Sequence, residues 1–465
     1  MSDLLEQLRK AVGESYVLVG DAIHADYTHD ETLTLAPVVP RALVRPGSTD
    51  EVSEVLRVAS EHRVPVIARG SGTGLSGAAT PEADGILLAF DRMNRIREID
   101  TENQVAVVEP GVTLEQLNAA LLPLGLTYPV SPGEQTASLG GNVGTNAGGM
   151  RAVRYGVTRQ HVLGLEIVLA DGRVLRTGGK YVKSSSGYDL TQLLIGSEGT
   201  LAVTTEVIVK VQPRPTETTT VLVPFATLAE VTHAVPRIVA SGVNPTILEY
   251  ADALVLGAIT RAAGLDLGIP QDVQQRALAY LIVVLEQSSE SRLDEDVEQL
   301  GTLLGELGAL DVYVLPPQAG ASLITARERL FFVSKAAGCD DIIDAVIPRA
   351  AIPDYLAMVA EVAAANDTFV SGCGHVGDGN VHLAVFQPDV EKRKKLTHEI
   401  FQIAVEAGGA ISGEHGLGTE KMPYFLEMAD PAALELMRAI KKAFDPLGIL
   451  GPDRVLGASD PGAMS

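Results

Sequence analysis

Two short stretches of this chain hold residue types that can ligate a cation or move a proton. One is Gly374-His375-Val376-Gly377-Asp378-Gly379-Asn380-Val381-His382, and the other, downstream, is Gly413-Glu414-His415-Gly416. Asp-Gly strongly favours a two-residue hairpin turn, because both positions tolerate φ > 0. A turn at Asp378-Gly379 predicts pairing of Gly377 with Asn380, Val376 with Val381 and His375 with His382. The two imidazoles then face each other, with Cβ atoms roughly 5 Å apart. Asn380, two residues from His382, shares that face. Paired histidines across a tight turn point to a metal or catalytic site.

The elements that would carry these residues can be read from hydrophobic spacing. Ala42–Val44 is an apolar strand, Ser48 with Glu51 opens a helix as a capping box, and Val64–Ala68 is the next strand. This βαβ-like start runs into the Gly-rich segment RGSGTGLSG, residues 69–77, after which strands and short turns dominate to about Val211. The patch Gln212-Pro213-Arg214-Pro215-Thr216 marks a domain boundary. Beyond it, strands at Thr220–Val223, Leu281–Leu285, Ile342–Ile347 and Thr368–Gly372 alternate with helices at Leu228–Ala240, Glu295–Leu307 and Ile352–Ala365. That order predicts an α+β domain whose mixed or antiparallel sheet carries helices on one face. The expected units are residues 1–215, 216–425 and a C-terminal helical segment, 426–465, that returns to the first unit.

Length and composition bound the function. A chain of 465 residues has a length prior of about three domains or two large ones. With 46% apolar residues it has material for a sizeable core. A net charge of −23 argues against nucleic acid and against an anionic membrane surface, so an anionic ligand must be held by local arginines, backbone N–H groups or a cation. Two cysteines, Cys339 and Cys373, make no disulfide framework and fit a reducing compartment. The N-terminal MSDLLEQLRKAVG reads as an amphipathic helix, and the longest apolar run, Ala279–Leu285, is too short to span a bilayer. A cytoplasmic protein is expected, with docking onto a membrane-bound partner left open.

Within the first Gly-rich segment, GTGLSG matches the dinucleotide fingerprint GxGxxG, but Ala78-Ala79-Thr80-Pro81 follows where that motif requires a helix. What survives is the physical meaning of the glycines: successive backbone N–H groups form a concave anion nest and allow close approach. The second segment, SPGEQTASLGGNVGTNAGG (residues 131–149), repeats that chemistry with Ser, Thr and Asn donors and no basic side chain. A long loop of this kind in a compact domain is functional more often than idle. Together the two segments suit the pyrophosphate and polar ring of a nucleotide cofactor.

RGSGTGLSG, PGEQTASLGGNVGTNAGG, GSEGTLAVTTEV (residues 196–207), GHVGDGNVH and ISGEHGLGTEK (residues 411–421) occur in this order along nearly the whole chain. In this the chain resembles the FAD-dependent D-2-hydroxy-acid dehydrogenases, the group of glycolate oxidase D-subunit, D-lactate dehydrogenase and D-2-hydroxyglutarate dehydrogenase. The resemblance implies an α+β protein with a vanillyl-alcohol-oxidase-type FAD-binding domain and a ferredoxin-like substrate (cap) domain.

It also implies roles. Ser71, Gly72, Thr73 and Gly74, with Arg69 beside them, would wrap the FAD pyrophosphate. Thr73 stands where covalently flavinylated relatives carry histidine, so the FAD should be non-covalent. Pro132, Gly133, Thr136, Ser138, Gly141, Asn142 and Val143 would line the ribityl and isoalloxazine region, and Glu198 with Val203 the adenosine end. His375, His382 and Glu414 resemble ligands of a divalent metal, zinc or manganese, and His415 the catalytic base. Arg327 looks like the arginine that clamps the substrate carboxylate, and Asn380 joins the catalytic set.

The expected reaction is oxidation of a small D-2-hydroxy acid, glycolate or D-lactate, by metal-assisted deprotonation and hydride transfer to the flavin. The electrons would pass to a separate acceptor: a quinone, an electron-transfer protein or an iron–sulfur subunit. A homodimer is compatible with the sequence. Two departures stand out: Leu450-Gly451-Pro452-Asp453-Arg454 replaces the family's Asn-Pro-Gly-Lys, and a lysine that some hydroxyglutarate-specific members carry before Pro348 is absent. The alternatives are D-2-hydroxyglutarate oxidation and, from another class, a non-redox transferase of the alkyl-glycerone-phosphate synthase type.

Overall fold

In the computed structural model, which describes residues 2–457, the βαβ start forms as the spacing predicts. Strands Ala42–Val44 and Val66–Arg69 both run parallel to Ile86–Ala89, which lies between them, and Val17–Leu18 closes one edge antiparallel. The connecting helix, Thr49–His62, buries Val52, Val55, Leu56, Val58 and Ala59 on one face. Only half of the predicted capping box exists. Ser48 Oγ accepts the Glu51 N–H at 3.2 Å, but the Glu51 carboxylate takes the Gly47 N–H at 2.7 Å. No helix follows GTGLSG; the chain turns and enters Ile86–Ala89.

A second, antiparallel sheet has the order Ile96–Asp100, Val105–Val108, Val203–Lys210, Val162–Val168, Val174–Gly178. Between the two sheets lies a departure from the sequence reading. The segment expected to be a long loop contains a helix, Leu139–Thr145, whose N-cap Ser138 accepts the Gly141 N–H at 3.3 Å. Glycine is a poor helix former, so propensity hides this helix. Packing requires the glycines: a Cβ on Gly140 would sit 2.6 Å from Pro110 Cβ. On the facing segment, a Cβ on Gly70 would sit 1.9 Å from Ser138 Oγ. The two Gly-rich segments are joined by Ser71 N–H to Ser138 Oγ (3.3 Å) and Ser71 Oγ–H to the Thr136 carbonyl (2.6 Å).

The cap is one seven-stranded sheet, in the order Tyr313–Leu315, Glu217–Phe225, Ala279–Gln287, Ile247–Asp252, Phe369–Gly374, Asn380–Phe386, Asp341–Val346, with every pairing antiparallel. Helices Leu228–Ala240, Glu290–Glu306, Ile352–Ala365 and Val390–Glu406 bury their apolar sides in one core on one face. The expectation of helices on one face alone is corrected. Ala253–Ala263 and Pro317–Glu328 cover part of the other face, where Val255, Leu256, Ile259, Leu323 and Ala326 pack on Leu222, Tyr280 and Ile282. The first of them reaches the strand Phe369–Gly374 through Cys373, but on the outer strand of that hairpin the alternate residues His382, Ala384 and Phe386 stay only half-buried on this face. After helix Pro431–Phe444 the chain returns to the first sheet, where Leu450 bridges Val66 in parallel. Among the described residues no helix is long and apolar enough to cross a membrane.

Candidate active site

The hairpin that carries the histidines is not the one predicted. Cys373, not His375, pairs with His382, and the connection runs over His375–Gly379. Gly379 has φ +98°, but Asp378 stays outside the left-handed region, so the two-residue turn cannot form. The Asn380 N–H turns back onto the His375 carbonyl (3.2 Å) and Asp378 Oδ1 (3.1 Å), while the Gly377 N–H reaches the Leu248 carbonyl on the neighbouring strand (3.1 Å). The imidazoles still meet, edge to face, with ring centroids 4.8 Å apart. His415 arrives from the second stretch and stacks on His382 at 5.1 Å.

Glu414 joins the pair: its Oε1 lies 3.1 Å from His375 Nε2 and 3.3 Å from His382 Nε2. Ligand atoms each about 2.1 Å from a tetrahedral ion would be about 3.4 Å from one another; these two separations match that spacing, and all three ligand atoms lie within 4.8 Å of one another. The outer nitrogens are backed by carboxylates. His375 Nδ1 bonds Glu249 Oε1, and His382 Nδ1 is 3.6 Å from Asp344 Oδ1. Such backing orients metal-bound imidazoles. Asp344, His382 and His415 also lie close enough to form a ligand set. Asp344 is already engaged, however, by Asn380 Nδ2 (2.6 Å), Ser412 Oγ (2.8 Å) and the N–H groups of Gly413, Glu414 and His415 (2.9–3.1 Å). One buried carboxylate thus holds the whole Glu414-His415 turn.

The electrostatics follow from burial and pairing. Burial opposes charge on Asp344, but Lys421 and the Asn380 amide outweigh it and hold the carboxyl well below the usual range. Burial likewise opposes charge on His375, but Glu249 and Glu414 hold that imidazole well above its ordinary value. Burial pushes the His415 imidazole down to about 3 despite Asp344, which leaves the ring neutral. With the His375 imidazole holding its proton, the carboxylates of Glu249, Asp344 and Glu414 face three cations, Arg327, Lys421 and His375 itself. The charges therefore balance as they stand, and a divalent ion bound to His375, His382 and Glu414 would displace the His375 proton, adding one positive charge that favours a carboxylate.

Two cavities meet here. One runs between the Gly-rich segments and is lined by Arg69, Ser71, Gly72, Thr73, Gly74, Pro132, Ser138, Gly141, Asn142, Val143, Glu198 and Val203. Its surface fits FAD. Asn142 Nδ2 is buried and unpartnered, and a Cβ on Gly74 or Gly144 would meet no protein atom nearer than 3.7 or 3.8 Å, so these positions border ligand space. The other cavity lies under the cap and is lined by Gly133, Arg327, His375 and His382, among others. Glu414 and His415 line both.

Several expected site residues do other work. Thr136 lines neither cavity and is bonded to Glu134, while Gly133 borders the cap cavity instead of the first. Arg69 directs its guanidinium at the Asp26 and His29 carbonyls, 2.6 and 2.5 Å away. Both oxygens of Glu198 accept N–H groups, from Leu417 (2.7 Å) and Gly418 (2.8 Å), so it clasps the downstream turn. Asn380 lines neither cavity, because its amide is spent on Asp344 and the Ala345 carbonyl; it stands behind the imidazoles as a positioning residue. Arg327 reaches the cap cavity while its Nη2 lies 2.8 Å from Glu249 Oε2. Arg454 bonds the Ala78 and Thr80 carbonyls and Glu82.

Sequence reasoning missed Glu249, Asp344 and Lys421. The signal was present: Ile247-Leu248-Glu249-Tyr250 and Ile342-Ile343-Asp344-Ala345-Val346 each place an acid inside an otherwise apolar strand. Such an acid is rarely buried unless it is paired.

Family models and relatives identify an FAD-linked oxidoreductase. The FAD binding domain family matches residues 40–178, and the family of FAD linked oxidases, C-terminal domain, matches residues 214–455. The chain is 54% identical to an uncharacterized FAD-linked oxidoreductase of Mycobacterium tuberculosis, over 98% of this chain and all of that one. It is 36% identical to the glycolate oxidase subunit GlcD of Bacillus subtilis (97% and 96% covered) and 38% identical to a D-lactate dehydrogenase of Archaeoglobus fulgidus (92% and 95%). The chain belongs to this FAD-linked oxidase family, with glycolate oxidase GlcD and D-lactate dehydrogenase among its relatives. Its fold matches p-cresol methylhydroxylase, with a TM-score of 0.82 at 20% identity over 99% of this chain and 98% of that one. An alkyldihydroxyacetonephosphate synthase shares the fold at 0.75 and 17%, over 98% and 85%.

Proposed function

We propose that the chain oxidises a D-2-hydroxy acid to the 2-oxo acid. The observation that carries this reading is that Glu414 and His415 line both cavities, so substrate and cofactor would meet at one turn of chain. Bound FAD supplies the electron sink, and a divalent ion bound to His375, His382 and Glu414 supplies polarisation of the substrate hydroxyl. The remaining work falls to side chains. His415, at the junction, accepts the hydroxyl proton. Arg327 offers a guanidinium to the substrate carboxylate while its other side stays on Glu249, which fixes its direction. Asp344 holds the Glu414-His415 turn in place.

Relatives named glycolate oxidase and D-lactate dehydrogenase support this class over an ether-forming synthase, whose likeness is one of fold alone. Electrons would leave to a separate acceptor. The test is a visible spectrum of the purified protein followed by anaerobic addition of D- and L-2-hydroxy acids, before and after chelation. Flavin bands bleached by D-acids only, and no longer bleached after metal removal, are expected. Full turnover in metal-free protein would remove the cation from the scheme. Bands that no 2-hydroxy acid bleaches would overturn the reading.

A further inference from the structure

We infer that the substrate is a 2-hydroxy acid with an extended apolar side chain, aliphatic or aromatic, rather than a two- or three-carbon acid. This rests on the D-2-hydroxy-acid reading above. The groups that could hold a carboxylate and a hydroxyl together, Arg327, His375, His382 and Glu414, gather at one end of the cap cavity, whose other polar lining includes Glu328, Ser334, Ser371 and the exposed Arg261. From there outward its walls include Leu254, Val255, Phe331, Val333, Phe369 and Phe386. They come from three places: the helix Ala253–Ala263, the helix Leu330–Ala336 and the open face of the last hairpin. On the hairpin, Ala384 and Phe386 follow His382 at intervals of two, so the apolar wall continues the face that carries the imidazole.

Leu254 and Phe369 are 61% and 51% exposed, so the apolar wall runs out to solvent. With its carboxylate and hydroxyl at the polar end, a substrate has only its side chain to cover these walls. Glycolate has none and lactate a single methyl. A second carboxylate, as in 2-hydroxyglutarate, would enter the apolar stretch; the cation farther out, Arg261, is exposed at the rim. Burying an unpaired charge among apolar walls is unfavourable, whereas each buried methylene is worth about fourfold in binding.

The experiment measures kcat/KM of the holoenzyme with a dye acceptor for D-2-hydroxy acids of three, four, six and eight carbons, with D-3-phenyllactate and D-2-hydroxyglutarate alongside. A rise of about twofold to fourfold per added methylene is expected, with phenyllactate well above lactate. Leu254→Asp and Phe331→Ser should each flatten that slope while flavin content stays at one per chain. A flat or falling series, or 2-hydroxyglutarate as the best substrate, would overturn the inference while leaving the reaction class intact. Failure of every acid to reduce the flavin would sink the reaction class itself, so the two failures are distinguishable.

Discussion

The two cavities that meet at Glu414 and His415 are built in opposite ways. The cofactor side is made of backbone: glycines, N–H groups and neutral hydroxyl and amide donors, with its one arginine turned toward carbonyls. The cap side is made of charge: carboxylates, imidazoles and two cations in contact below a sheet face. A backbone cradle needs no counter-charge and tolerates being empty. A buried charged cluster is costly unless every member is paired, so the loss of one partner is felt by all. Substitutions on the two sides should therefore fail differently.

The largest effect is expected from His415→Ala. If the ring takes the substrate proton, kcat falls by about 10²- to 10⁴-fold. Flavin absorbance and metal content should be unchanged, because neither FAD-side glycines nor the His375, His382, Glu414 set is touched. Turnover within threefold of the parent would take His415 out of the chemistry.

Asp344→Asn should come next. The change keeps the shape but removes the charge that faces Lys421, His382 and His415 and that accepts the N–H groups of residues 413–415. Metal affinity should drop about 10- to 100-fold, as for other carboxylates behind metal-bound histidines. Stability should fall by about 3–5 kcal/mol, since Lys421 is left buried without its partner. Metal loss measured by elemental analysis should precede flavin loss on dilution. The reverse order would mean that the two sides are not independent.

How much of this was legible in the sequence follows the same division. The Gly-rich segments announced an anion-binding cradle because glycine has few other reasons to cluster at such spacing. Helix boundaries could be read closely, as with Ile352–Ala365 and Leu228–Ala240. The helix Leu139–Thr145 was hidden because its glycines answer to Pro110 and to the cavity, not to helix propensity. His375, His382 and Glu414 were found as a group even though the hairpin register assigned to them was wrong. The register depended on hydrogen bonds to Leu248, a residue 129 positions from Gly377 in sequence, which no local turn rule contains. Glu249 and Asp344 escaped for a related reason: their partners come from other strands, and only the assembled sheet puts them behind the imidazoles.

The smallest effect, and the sharpest contrast, is expected from Gly144→Ala. Gly144 lies near the end of the helix Leu139–Thr145 with φ outside the left-handed region, and an added Cβ would approach only Glu198 Cα, at 3.8 Å. In flavin-free protein the substitution should therefore stabilise the fold by about 0.5–1 kcal/mol, the ordinary gain from replacing a helical glycine. The same methyl projects toward the space that the cofactor would fill, so flavin affinity should fall several-fold. Thermal melts of deflavinated protein and a flavin titration read the two effects separately. Opposite signs would show that glycine is kept at this position for the ligand and not for the helix. A methyl that stabilised the apo-protein and left flavin affinity unchanged would mean that the cofactor passes elsewhere, and that the cavity between the Gly-rich segments is not its full path.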